Sequence, residues 1–195
     1  MYKQNILWLA LVFFLAQCAS QQPITGGAKD ETPPKLLSAT PKDQSLNFLG
    51  TTILLEFNEY IEVQNLKKEL LIAPITEVNY SYKIKKGNFL EIRFDSALEA
   101  NTTYTLNFRE GIKDITEKNP AENLKLAFST GNYIDSLQIE GDITNLFSNN
   151  PSKKTSVLLF AANDSLTLEG GKPIYVTNTD ENGHFLFENL KPDEY

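Results

Sequence analysis

Thr52-Ile53-Leu54-Leu55-Glu56-Phe57 is the stretch on which the fold turns. Successive strand residues point to opposite faces, so Ile53, Leu55 and Phe57 share one side while Thr52, Leu54 and Glu56 share the other. This alternation is that of a half-buried strand. Similar short runs surround it. Leu36 to Thr40 lies upstream and is stopped by Pro41, while Val78 to Lys85, Phe89 to Phe94, Thr103 to Phe108 and Leu124 to Thr130 lie downstream. Lys86-Gly87-Asn88 supplies the Gly-containing turn of a hairpin. Strands this short and this closely spaced, without a sustained period of 3.6, predict an all-β sandwich.

Some positions inside this frame can be read further. Leu66-Lys67-Lys68-Glu69-Leu70-Leu71 has apolar residues at helical spacing, but Pro74 follows closely. The spacing predicts a turn that leads into a strand ending at Ala73. Tyr80, Tyr82 and Ile84 share one face of their strand and are expected to pack inward. Leu98-Glu-Ala-Asn-Thr-Thr-Tyr104 is a turn followed by a strand whose first large residue is Tyr104. That order suits a tyrosine corner, with the ring in the core and the hydroxyl bonded to backbone upstream.

The N-terminal end reads differently. Lys3 precedes eleven unbroken apolar residues, Ile6 to Ala16. A membrane-spanning helix needs about 20, so residues 1–17 read as a secretory signal. Cys18, the chain's single cysteine, closes the run Leu15-Ala16-Gln17-Cys18. One thiol excludes an internal disulfide and a cysteine metal cage. The segment resembles a bacterial lipoprotein signal, in which the cysteine sulfur is lipidated before cleavage. Leu15 and Ala16 match that pattern, and Gln17 departs from its usual Gly, Ala or Ser. The alternative is an ordinary signal cut after Ala19 or Ser20, which discards Cys18. Residues 18–29 then form a polar, Gly-Gly-containing tether.

The pieces Asp30-Glu31-Thr32-Pro33-Pro34, Ser38-Ala39-Thr40-Pro41, Leu55 to Ile61, Leu98 to Tyr104, Gly111-Ile112-Lys113-Asp114, Asn119-Pro120 and Phe128-Ser129-Thr130 come in a definite order. Together they resemble the SbsA-type Ig-like domain, also called bacterial Ig-like domain 5, over residues 30–131. The resemblance implies an Ig-like β-sandwich. Leader, tether and this domain also resemble envelope lipoproteins of Gram-negative bacteria, whose tether carries a stretch similar to Gly26-Gly27-Ala28-Lys29-Asp30. Ala19-Ser20-Gln21-Gln22 carries no Asp directly after Cys18, which resembles outer-membrane rather than inner-membrane sorting and leaves either face open.

Residues 132–195 predict further strands around Leu137 to Ile143, Val157 to Phe160, Ile174 to Thr179 and His184 to Phe187. Their ending resembles a carboxypeptidase regulatory-like or Cna-B-like domain, with a Leu190-Lys-Pro-Asp-Glu-Tyr195 step into a next strand. The expectation is a second, incomplete β-sandwich belonging to a longer protein.

Chemistry-bearing groups are few. The formal charge of −7, from 25 acids and 18 bases, argues against nucleic acid, which requires clustered cations. His184, the single histidine, follows Gly183 at the start of a hairpin strand and is expected to be a satisfied or solvent-facing strand residue rather than a metal ligand or a catalytic base. Glu56, Glu59 and Glu62 crowd one region but are expected to be solvated rather than opposed across a cleft. Asp180-Glu181-Asn182-Gly183 lacks the oxygen spacing of a calcium loop and reads as a turn with Gly in the left-handed position. No metal or cofactor is expected. Three Asp-Ser-aliphatic tripeptides, centred on Ser96, Ser136 and Ser165, are similar to O-glycosylation acceptors of certain envelope proteins, and Ser136, between the domains, is expected to be the most accessible. The expected protein is non-catalytic, held on a membrane by a lipid on Cys18, with its Ig-like domain as spacer or interaction module. A glycan or surface-polymer receptor and the stalk of a longer envelope enzyme are the other readings.

Overall fold

A computed structural model describes residues 27, 29–162 and 171–195. Cys18, Gln17 and Ser165 lie outside the described residues. Within Glu31–Tyr195, one compact unit, the chain folds as strands joined by turns, with a single helical turn among the described residues.

The alternation of Thr52–Phe57 (β2) is borne out: Ile53, Leu55 and Phe57 are fully buried. β2 lies between Leu36–Thr40 (β1) and Phe89–Phe94 (β6), and Tyr80–Lys85 (β5) closes the sheet in the order β1-β2-β6-β5. Facing it is a sheet of Leu71–Ala73 (β4), Thr103–Asn107 (β7) and Lys125–Ser129 (β9), in the order β4-β7-β9. Leu90, Ile92 and Phe94 from one sheet meet Tyr104, Leu106, Leu126 and Phe128 from the other in a single cluster. Burial of each such side chain contributes about 1.5–3 kcal/mol. The fold is an all-β Ig-like sandwich.

Two short strands have no counterpart in the sequence reading. Ile61–Val63 (β3) pairs antiparallel with Ile112–Asp114 (β8). Three residues are too few to establish a period of two, so neither announces itself. The segment before Pro74 does both things its composition allows. Leu66–Glu69 (α1) makes one helical turn, because Leu66 and Leu70 are both buried at i and i+4, and β4 follows at once. Arg109 donates from Nε to the Glu69 carbonyl at 2.7 Å and from Nη2 to the Lys68 carbonyl, supplying partners for the last carbonyls of α1.

Beyond residue 131 the chain forms two antiparallel ribbons. Leu137–Asp142 (β10) pairs with His184–Leu190 (β13), and Ser156–Leu159 (β11) pairs with Tyr175–Asn178 (β12). Their buried cluster consists of Tyr175, Phe187 and Leu190, with Ala73 of β4 packed against it. Main-chain and side-chain bonds join them to the sandwich. The Ile75 N–H donates to the Ile174 carbonyl at 2.7 Å, and Asn189 Nδ2 donates to Thr105 Oγ1 at 2.9 Å. The connecting segment is itself pinned. Thr130 donates its N–H to the Thr102 carbonyl at 3.0 Å and its hydroxyl to the Glu99 carbonyl at 2.7 Å, and the Asp135 N–H donates to Thr103 Oγ1 at 2.9 Å.

Candidate functional site

The expected acceptor tripeptides differ in setting. Asp95-Ser96-Ala97 follows β6 and is exposed at all three residues. Ser136 is exposed too, but Asp135 before it is buried and tied to Thr103. Both described serines are exposed, and the Ser96 tripeptide is the more open of the two, because the segment around Ser136 is pinned through Asp135 rather than loose.

His184 sits on β13 with Nδ1 at 3.0 Å from Asp142 Oδ1 and Nε2 at 3.8 Å from Glu140 Oε2. It is partnered and partly exposed, as the sequence suggested. Among the described residues no group of three His, Cys, Asp or Glu side chains is placed to hold a metal ion. Asp180 spends its carboxylate on its own turn. Oδ1 accepts the N–H of Asn182 at 2.7 Å and of His184 at 2.9 Å, and Gly183 takes φ +79° with the Ile143 carbonyl 2.5 Å from where a Cβ would stand. Those bonds to its own turn hold the Asp180 carboxyl below the usual range.

The three glutamates do not form an opposed pair. Glu56 accepts the Ser38 hydroxyl across β1 and β2 at 2.8 Å, and Glu62 is bridged by Lys118 at 2.6 Å. A cleft of about 1010 Å³ separates the sandwich from the ribbons, with Arg109, Glu110, Lys125, Lys154, Asn178 and Glu181 on its walls. Its charges are largely matched within the chain. Lys154 bridges Glu110 at 2.9 Å, Lys125 bridges Glu188, and Lys154 holds the Glu110 carboxyl below the usual range.

The inward packing expected of β5 needs correction. Tyr80, Tyr82 and Ile84 stand opposite Phe94, Ile92 and Leu90, so they do face the core side. Yet Tyr82 is 37 % and Ile84 40 % exposed. β5 is the end strand of the wider sheet, with a strand neighbour on one side alone among the described residues. Shared face and burial come apart at a sheet edge.

Sequence reading missed the role of Asp114. Its carboxylate, 1 % exposed, accepts the N–H groups of Glu117 at 2.7 Å and Lys118 at 2.9 Å on Oδ1, and of Asn119 at 3.0 Å on Oδ2. Burial pushes its pKa up, but these three donors outweigh it and hold the carboxyl below the usual range. The available signal was Asp114 at the head of the turn-forming run Thr116-Glu-Lys-Asn-Pro120. The tyrosine corner, by contrast, forms as read. The Tyr104 ring is buried and its hydroxyl accepts the Glu99 N–H.

The bacterial Ig-like domain family matches residues 30–130. The chain belongs to that family. No curated protein matches it. Among solved structures, this bacterial Ig-like chain is similar to the N-terminal part of the bacterial S-layer protein SbsC at 16 % identity and a TM-score of 0.38, covering 80 % of this chain and 44 % of that one. It thus spans less than half of that structure. It is also similar to an L,D-transpeptidase from Mycobacterium smegmatis at 13 % identity and a TM-score of 0.36, covering 75 % of this chain and 74 % of that one. Likeness at that level says nothing of activity.

Proposed function

We propose that this is a non-catalytic, lipid-anchored protein of the bacterial cell envelope, facing either side of the outer membrane, whose Ig-like domain serves as spacer or interaction module. The observation that carries the reading is the placement of Cys18. The sole cysteine stands two residues beyond the end of an eleven-residue apolar run and is followed by a polar tether and then by the family domain. Two or more acyl chains hold a protein on a bilayer where one barely does, each buried methylene contributing about 0.8 kcal/mol. The paired charges and turn-bound carboxylates described above support a mechanical or binding role over a chemical one. Residues 132–195 fit a carboxypeptidase regulatory-like or Cna-B-like module, and Ser96 in the Ig-like domain with Ser136 and Ser165 beyond it are candidate O-glycan acceptors.

Expression of the full chain with Cys18→Ala, alongside the parent, tests the anchor. Loss of acyl labelling and release from the membrane fraction are expected. Membrane retention equal to the parent overturns it.

A further inference from the structure

Sandwiches must manage their edge strands, because an open edge offers unpaired N–H and C=O groups to any passing strand. Three edges here are attended to. The Asp43–Phe48 segment runs along β9, with the Gln44 N–H donating to the Ala127 carbonyl at 2.7 Å and the Phe48 N–H to the Ser129 carbonyl at 2.9 Å. β4 lies beside the ribbons, next to the Ile75–Ile174 bond. β1 is short, broken by a register shift between Leu36 and Ser38, and bounded by Pro34 and Pro41.

β5 is different. Among the described residues it pairs with β6 alone, and from Ser81 to Lys85 every residue is exposed. Its first residue is the half-buried one, and there Lys67 donates to the Tyr80 carbonyl and the Tyr80 hydroxyl donates to that of Leu66 at 3.4 Å. Beside the open main chain lies the apolar ledge of Tyr82 and Ile84. The charge at this edge also runs against the chain's acidic balance. Tyr80 to Asn88 contains Lys83, Lys85 and Lys86 and no acid. Glu91 on β6 is shared by Lys83, at 3.0 Å, and Lys85.

We propose that the β5 edge is a docking site for an extended acidic segment of a partner protein, which adds as a further strand. Main-chain pairing provides the register, Tyr82 and Ile84 receive alternate apolar side chains, and the lysines select acidic residues between them. A second copy of this chain is the wrong occupant, since pairing β5 with β5 sets lysine against lysine. The proposal deepens the interaction role proposed above and does not depend on the lipid anchor.

The test uses the full chain and three synthetic probes: a fluorescent peptide alternating glutamate with valine, its lysine-for-glutamate counterpart, and the acidic peptide N-methylated at alternate amides. The acidic peptide is expected to bind with amide shifts concentrated in Ser81–Lys86. Binding of each of the other two is expected to be weaker by on the order of tenfold or more. The variant Lys83→Gln with Lys86→Gln, which leaves Lys85 to hold Glu91, is expected to bind the acidic peptide similarly weakly. No binding of the acidic peptide, equal binding of the lysine or N-methylated peptide, shifts that map elsewhere, or dimers formed through β5 each overturn the proposal. Such a failure leaves membrane retention through Cys18 unaffected, so the two readings fall separately.

Discussion

The Tyr104 hydroxyl accepts the Glu99 N–H at 3.1 Å, while its ring, 2 % exposed, stacks on Phe128 at a centroid distance of 6.0 Å. One side chain thus fastens the turn before β7 to the centre of the core. Tyr104→Phe keeps the ring and loses the bond, so a cost of about 1 kcal/mol and a fall in Tm of about 2–4 °C are expected. Tyr104→Ala removes both and is expected to cost about 3–5 kcal/mol. Urea and thermal melts of the two variants check this, and a Tyr104→Phe variant as stable as the parent would show that the hydroxyl adds nothing.

Gly87 is constrained twice. It takes φ +83°, and a Cβ there would stand 2.8 Å from Tyr60 Cδ1. Its carbonyl also accepts the Ile61 N–H at 2.8 Å, which holds the loop against β3. Gly87→Ala is expected to destabilise by about 1–2 kcal/mol from the left-handed backbone alone. A chemical melt at or above parent stability would contradict it.

For Asp114 the sign follows from the lowered folded-state pKa. The unfolded carboxyl binds its proton more tightly. The stabilisation is therefore complete above the ordinary carboxylate range and is lost as pH falls through the lower folded value. Denaturant midpoints are expected to decline below about pH 4. Asp114→Asn, which has no such charge to lose, is expected to start lower at neutral pH and to decline less steeply. Parallel curves for parent and variant would remove Asp114 as the cause.

The two halves have cores of unequal size. Nineteen buried residues form the sandwich cluster and three form the ribbon cluster among the described residues. Amide exchange is expected to be slowest on β2, β6 and β7 and markedly faster on β10 and β11, because local opening of the ribbons exposes little apolar surface. Tyr175→Ala is expected to speed exchange in the ribbons while leaving β2 and β6 protected. Uniform acceleration across both halves would show a single cooperative core.

What the sequence disclosed follows from how much pattern each element carries. β2 and β6 were legible because six residues with three buried positions establish a period of two. β3 and β8, at three residues each, exist through their pairing with one another, which no local signal records. Tyr82 and Ile84 were placed on the correct face with the wrong burial, since a strand's place at the sheet edge is a tertiary fact. Tyr104 was legible because its bond is local, five residues back. The partners of Asp114 are equally local, but an acidic residue before a turn has many uses and only the folded loop distinguishes them.

The pinned connection between the halves has one further consequence. Because Thr130 and Asp135 are both tied back to the segment that ends in Thr103, the passage from sandwich to ribbons works as a splint instead of a swivel. A partner seated along β5, as proposed, would therefore be presented at a constant bearing to whatever engages the ribbons, with its angle fixed as well as its distance.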